Sequence, residues 1–513
     1  MRSVRVLRNV VTNYLRFFIG GLLGLVVTPL MVLLMGDGDY GLWVTVFSVT
    51  GYFGLFDQGI RPSLVRYISR DQARGDREGL ARTLNSAIVL YTAVGVITLA
   101  ATVVVAHGFP QWFKIGPGQV ASARMLVLLS GASVALGFPL GVFGATLSGL
   151  QRYDIANALG IGVSVLRAAA FVVMLRMGWG LIGLAWASLV MNLLGHALSW
   201  ACVRRLLPDI PFGRRFVTSG QLRMIGAYGS VAFVGALASS IAFQTDALVI
   251  TAFIGAASVT PFALAAGLVE NVRALVYSAT WVLSPTASEL ETRGESHKLH
   301  QMMIAGAAYS VLLSWPPLFA LIIFGHNLLT TWIDSAHASG AILLTVLAVP
   351  TLISLTQSTT SSVLFGIGRH QGVVALSMLN SIVNLGLSLL WVRPFGLMGV
   401  AMGTAVPLAL IGGFATAWYG CRKLGLPLGR YFREGILRPG LVSLVFVVPA
   451  LAAQRLFRPV GWIPLAAVLG GCWLLFAACA WSFGLTPAER GRWTRAVPGL
   501  LGLRGTAPAG AGR

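Results

Sequence analysis

Leu147-Ser148-Gly149-Leu150-Gln151-Arg152-Tyr153 opens a segment that the chain writes twice. After Tyr153 come about 22 mostly apolar residues, then Arg176-Met177-Gly178-Trp179-Gly180-Leu181-Ile182-Gly183, then a second apolar run ending at Cys202-Val203-Arg204-Arg205. The second copy opens with Leu364-Phe365-Gly366-Ile367-Gly368-Arg369-His370. Its middle is Arg393-Pro394-Phe395-Gly396-Leu397-Met398-Gly399, and it ends at Cys421-Arg422-Lys423. The offset stays between 216 and 219 residues throughout. Solenoid units repeat every 20 to 50 residues or so, far short of this period. It marks a duplicated half of a polytopic membrane protein, and paired halves are a design of alternating-access transporters.

Composition points the same way. With 56% hydrophobic and 10% charged residues, the chain lacks the polar groups to clothe a soluble surface of 513 residues. Apolar stretches long enough to cross about 30 Å of hydrocarbon recur from end to end, with no interval roomy enough for a soluble domain. They predict an all-α protein of fourteen membrane helices: 9–35, 39–60, 82–106, 119–148, 153–175, 180–203, 224–254, 258–286, 300–325, 338–366, 370–392, 397–421, 437–454 and 461–484. The expected domains are a six-helix lobe at 1–205, a cytoplasmic linker at 206–223, a second six-helix lobe at 224–423, two further helices within 424–485, and a basic tail at 486–513. Six helices per repeat is an even number, so both lobes enter the bilayer with the same orientation, as parallel repeats do.

Orientation follows from the cations. Placing both termini in the cytoplasm puts 28 of the 37 Lys and Arg on that side. Six fall outside (Lys114, Arg124, Arg176, Arg393, Arg455 and Arg458) and three inside spans (Arg16, Arg167 and Arg273). This is the positive-inside bias. It also accounts for a net charge of +21 without nucleic acid, because short basic loops face anionic headgroups. Cys202, Cys421, Cys472 and Cys479 have no metal-ligand spacing and read as packing residues, so no metal or cofactor is expected. The N-terminal arginines and apolar run lack a small-residue cleavage site and read as a retained first helix.

Gly36-Asp37-Gly38-Asp39-Tyr40-Gly41-Leu42-Trp43, followed by Gly51-Tyr52-Phe53-Gly54-Leu55-Phe56-Asp57-Gln58-Gly59-Ile60, resembles the first helical hairpin of the bacterial oligosaccharide flippases. These belong to the multidrug/oligosaccharidyl-lipid/polysaccharide flippase superfamily. Leu147 to Tyr153 resembles the approach to the family's fifth helix, and Gln244-Thr245-Asp246 with Gly255 its seventh. The likeness runs over roughly residues 5–425. It implies two six-helix lobes forming a V around a central cavity. The implied activity moves undecaprenyl-pyrophosphate-linked oligosaccharide across the bacterial inner membrane for surface polysaccharide synthesis. Membrane lipids, a polysaccharide polymerase and chain-length proteins are the implied partners.

That cargo needs cations within the bilayer, and charges there cost about 2.5–3.5 kcal/mol each even on the lenient insertion scale. Arg16 shares a helical face with Asn9, Thr12 and Asn13, and Arg167 sits mid-helix at the position matched by Asn384 in the second repeat. Arg16, Arg167 and Arg273, with Asn13 and Asn384, are the expected pyrophosphate and cavity residues; Arg binds phosphate bidentately. Glu270 and Arg273, three apart, can instead neutralise each other, and Asp57 with Arg61 is a four-residue pair. Asp246, a lone carboxylate deep in a helix near Gln244, suits binding of a proton or Na⁺, with Glu270 as a second candidate for ion coupling. A structural counter-ion to a buried arginine is its competing role.

A multidrug and toxin extrusion antiporter and a lipid II flippase share the expected architecture and stay open as alternatives. A membrane glycosyltransferase is set aside: Asp37-Gly38-Asp39 offers paired carboxylates, but in a turn too short to shape a sugar site.

Overall fold

The computed structural model describes residues 2–484, with the helical backbone alone at residues 2–11, 14, 228–243 and 483–484. The described residues are helical almost throughout, with no strand among them. Apolar side chains point outward: Val96, Ile97, Val103 and Val104 on one helix, and Val448 and Leu474 near the C-terminus, are all more than half exposed. Thr45, Ser63, Thr83, Asn157, Ser310 and Thr360 are buried. A helix face this apolar is turned outward at low cost only when lipid is the solvent, so this is a multi-pass membrane protein.

Two compact units make up the chain. The first spans Met1–Gly267 and Val374–Leu408, and the second Leu268–Val373 and Ala409 onward. The first holds α1 (Arg2–Met35), α2 (Asp37–Phe53), α3 (Leu55–Arg74), α4 (Arg77–Trp112), α5 (Val120–Gly149), α6 (Tyr153–Arg176), α7 (Gly180–Leu206) and α8 (Ser219–Phe253). It also takes the start of α9 (Val259–Trp281). In the second unit lie α10 (Leu283–Thr292), α11 (Ser296–Trp332), α12 (Ala341–Leu355) and α13 (Ser358–Gly366). Most of α14 (Gln371–Pro407) returns to the first unit. A π-helical stretch Leu408–Ala415, then α15 (Thr416–Leu424), α16 (Leu428–Arg430), α17 (Arg438–Leu456) and α18 (Trp462–Cys479) complete the second.

Unit one packs around Leu64, Ile68, Leu84, Tyr91, Phe138 and Val142, with a second core at Leu42, Val46, Phe109, Leu126 and Leu181. Small residues bring its helices close, the usual way membrane helices gain van der Waals contact. A Cβ on Gly95 of α4 would lie 2.6 Å from the Ala135 carbonyl oxygen of α5, so only glycine fits there. Unit two packs around Met303, Ala307 and Tyr431 and around Phe324, Phe446, Leu465 and Phe476.

Both copies of the opening heptad fold into the same turn. The Arg152 amide donates to the Leu147 carbonyl at 2.9 Å, and the Arg369 amide to the Leu364 carbonyl at 2.9 Å. The residue before each is left-handed: Gln151 at φ 58° and Gly368 at φ 75°. Glycine takes that conformation freely, whereas Gln151 holds it against its own Cβ.

Eleven helical stretches are long and apolar enough to cross a membrane among the described residues. The expected second span breaks at Gly54, between α2 and α3, and the seventh includes side chains outside the description. The eleventh and twelfth run together over Gln371–Leu424, where Gly396 at φ 58° kinks the helix. The expected tail at 486–513 lies outside the described residues.

Candidate functional site

Four polar groups among the described residues of the first unit hold intramembrane candidates. In the first, Asp246 of α8 is buried, and its Oδ2 accepts a 2.7 Å hydrogen bond from the Thr404 hydroxyl of α14. Thr404 in turn accepts from Asn384 Nδ2 at 2.8 Å. Asn384 and Ser388, one turn apart on α14, are both buried. Asp246 Oδ1, Asn384 Oδ1 and Ser388 Oγ are buried without a hydrogen-bond partner among the described residues. Buried oxygens without donors are expensive, and each such group in a native structure asks for a reason. Among them the carboxylate oxygen of Asp246 is the one suited to a proton or a hard cation. Gln244, two residues from Asp246, lies elsewhere: a Cβ on Gly51 of α2 would come 2.8 Å from its Nε2. Next to Asp246, Thr245 shares a 2.7 Å hydrogen bond with the Tyr52 hydroxyl.

In the second assembly Arg167 of α6, half-buried, reaches Asn192 Oδ1 of α7 at 3.5 Å. Asn192 Nδ2 donates to Ser133 Oγ of α5 at 2.9 Å. No carboxylate lies within 4.0 Å of Arg167 among the described residues, so its charge is oriented by neutral dipoles rather than cancelled.

The third assembly joins α1 to α6. Buried Asn157 donates through Nδ2 to Asn13 Oδ1 at 2.8 Å and to Thr12 Oγ1 at 3.1 Å. Arg16, exposed, lies along Gly160, where a Cβ would meet its guanidinium carbon at 2.9 Å. The Asn9 side chain lies outside the description. Asp57 of α3 forms a fourth polar group in this unit: it accepts from the Tyr91 hydroxyl at 2.7 Å and pairs with Arg61 at 3.4 Å.

In the second unit Arg273 and Glu270 form an ion pair at 3.5 Å, as their three-residue spacing allows. The Arg273 guanidinium also sits 6.0 Å from the centre of the Tyr277 ring. Asp246 and Glu270, both expected in ion coupling, therefore belong to different compact units.

The structure thus joins Asp246 to Asn384 and Asn13 to α6, and places Arg167 among neutral partners. Sequence reasoning missed Thr404, Asn192, Asn157 and Ser388. Their signal was weak, because a neutral polar residue inside a helix can satisfy itself on its own backbone. Thr404 does so in part, donating also to the Val400 carbonyl at 3.3 Å. No group of three His, Cys, Asp or Glu gathers among the described residues.

Against known proteins, residues 6–291 match the family model described as "Polysaccharide biosynthesis protein". The match spans more than half of the chain, and the chain belongs to that family. EpsK, a Bacillus subtilis (strain 168) membrane protein described as uncharacterized, is 21% identical over 91% of this chain and 94% of its own. Among solved structures, the lipid II flippase MurJ in an inward closed conformation superposes with a TM-score of 0.73. That match covers 92% of this chain and 98% of MurJ at 13% identity. An inward-facing multidrug resistance MATE family transporter of the MOP superfamily gives a TM-score of 0.70 at 17% identity, over 79% and 94% of the two chains. At such identities the likeness establishes the fold alone, one shared with these two transporters.

Proposed function

We propose that this polysaccharide biosynthesis family member is a flippase that carries undecaprenyl-pyrophosphate-linked oligosaccharide across the bacterial inner membrane by alternating access. Both of its termini lie in the cytoplasm. The observation that carries this reading is Arg167: a cation within a membrane helix, held by Asn192, which in turn bonds Ser133, and matched to no carboxylate among the described residues. An intramembrane charge is costly enough to mark a functional site. A pyrophosphate diester fits it, since its anionic oxygens accept the parallel N–H pairs of a guanidinium. Arg16 and Arg273 supply further cations, and Asn13 and Asn384 polar lining.

Asp246 couples transport to a proton or Na⁺ in the same reading. With an ion bound, the unpaired Asp246 Oδ1 gains a partner; with the ion gone, the Thr404 hydroxyl alone faces the carboxylate among the described residues. The two states differ in energy, which is what biases an alternating-access cycle.

A cation antiporter is the second reading, favoured by the same buried carboxylate and opposed by the surplus of arginine. Gene deletion separates the two. Pyrophosphate-linked glycan accumulating in the inner leaflet, with surface polysaccharide lost and growth intact, is the expected outcome. Intact surface glycan with new sensitivity to cationic dyes establishes the antiporter instead, and a lethal deletion with accumulated lipid II makes the cargo the peptidoglycan precursor.

A further inference from the structure

Glu270, Arg273, Tyr277, Trp281 and Ser284 follow one another at three- or four-residue steps along α9 and into α10. Such spacing lays the first four on one face of α9, and Ser284 follows just past its end. Glu270 keeps half of its side-chain surface exposed, while Tyr277 is 41% and Trp281 56% exposed. An exposed carboxylate on a membrane-length helix, next to an arginine and a tyrosine, belongs to a wet face and not to one turned toward acyl chains.

The stripe ends in a crevice of about 630 Å³, lined by Tyr277, Ser278, Trp281, Val282, Ser284 and Pro285. It opens where the helix breaks at Val282, between α9 and α10. Beyond it the aromatic surface continues: the Trp281 ring centre is 5.5 Å from that of Phe365, and Phe365 stacks flat on His370 at 5.2 Å and 11°. At the other end, Arg273 stands 6.0 Å from the Tyr277 ring. All of these residues belong to the second unit.

Cation, exposed aromatic faces and serine hydroxyls thus follow one another in order along one surface. A sugar ring carries a face of C–H bonds and a rim of hydroxyls. An aromatic plane accepts the first, and serine or carboxylate oxygens the second. The crevice is open and lined from one helical stretch, so it offers a surface for a sugar to lie against rather than a pocket that encloses one.

We propose that this crevice is a glycan platform, on which Trp281 and Tyr277 stack against the sugar joined to the pyrophosphate that Arg273 contacts. The proposal rests on the flippase reading and adds where, and by what chemistry, the glycan is gripped. Stacking reads the C–H face of the ring and little of its hydroxyl pattern, so the platform selects for the presence of a sugar more than for its identity.

The test uses the full-length protein in lipid nanodiscs with two probes, undecaprenyl pyrophosphate and undecaprenyl-pyrophosphoryl-N-acetylglucosamine, each competed against ordinary phospholipid. Wild type binds the sugar-bearing probe more tightly. Trp281→Ala weakens that binding about tenfold and leaves the bare probe unaffected, while Trp281→Phe keeps most of the affinity. Arg273→Gln weakens both probes. Binding of the bare probe shows that the Trp281 variants are folded, and thermal unfolding in the nanodisc shows it for Arg273→Gln. Equal binding of the two probes by wild type overturns the platform and leaves the flippase reading standing. An equal loss for both probes in Trp281→Ala makes the crevice a site for the lipid part and overturns the proposal, as does no loss at all. If wild type binds neither probe above phospholipid, the flippase reading falls and the platform with it.

Discussion

Arg167 and Asn384 occupy the same position in the two repeats and are built into opposite kinds of network. Arg167 places a cation on a chain of neutral partners, Asn192 and then Ser133. Asn384 hydrogen-bonds Thr404, which donates to the buried carboxylate of Asp246. The repeat leaves matching turns at Arg152 and Arg369. One copy then carries positive charge at its middle, and the other sits against negative charge. A site for an anionic cargo and a site for a coupling cation need that asymmetry, which two identical halves lack.

The largest effect that would break this comparison is at Arg167. Arg167→Gln keeps a hydrogen-bonding side chain but removes the charge. It should lower export of surface polysaccharide roughly 10- to 100-fold at unchanged protein level, the value of a charge-assisted contact. Undiminished surface glycan, measured by staining alongside an immunoblot, would make Arg167 structural.

Asp246→Asn tests the other half. The amide oxygen still accepts from Thr404, so the fold is retained while the charge is lost. Transport should lose its dependence on pH or Na⁺, read as initial rate in everted vesicles across a pH and Na⁺ series. A rate with wild-type dependence on both ions would return Asp246 to a structural role.

Thr404→Val is the milder probe of the same network. It strips the hydroxyl that links Asn384 to Asp246 and leaves the carboxylate without its one donor among the described residues, costing about 1–3 kcal/mol at that group. The Na⁺ or H⁺ concentration for half-maximal transport should shift, while cargo affinity, measured separately, should not. A change in cargo affinity alone would merge the two networks that the comparison keeps apart.

The smallest effect compares the turns. Gly368→Ala places a Cβ at φ 75° and should destabilise by about 1 kcal/mol, whereas Gln151→Gly relieves the same conformation and should be neutral or slightly stabilising. Thermal unfolding of the detergent-solubilised variants reads both. Matching responses would mean that the two turns are not under the same constraint.

The repeat and its turns were legible because glycine, arginine and apolar runs stand out at a fixed offset. Arg167 and Asp246 were legible for a related reason: a charge inside an apolar run is a single visible exception. Their partners were not. Asn192, Thr404 and Asn157 are neutral, and each lies far along the chain from the residue it meets. Gln244 shows the opposite failure, since nearness in sequence suggested a shared site. Two residues along a helix is about 200° around it, which turns Gln244 toward Gly51 while Asp246 meets Thr404. Glu270 looked like a coupling group, yet it stands beside Arg273 in the other compact unit, and nothing in the local sequence separates these roles.

The most direct measurement reconstitutes the purified full-length protein in proteoliposomes carrying undecaprenyl-pyrophosphoryl oligosaccharide in the inner leaflet. Appearance of the glycan on the outer face is then followed with an impermeant glycan-modifying enzyme. Wild-type protein should expose the glycan in minutes, and Arg167→Gln should slow that exposure roughly 10- to 100-fold. Equal exposure by the two proteins, or none by wild type under any ion gradient, would contradict the assignment of this chain as a flippase working through its unmatched arginine.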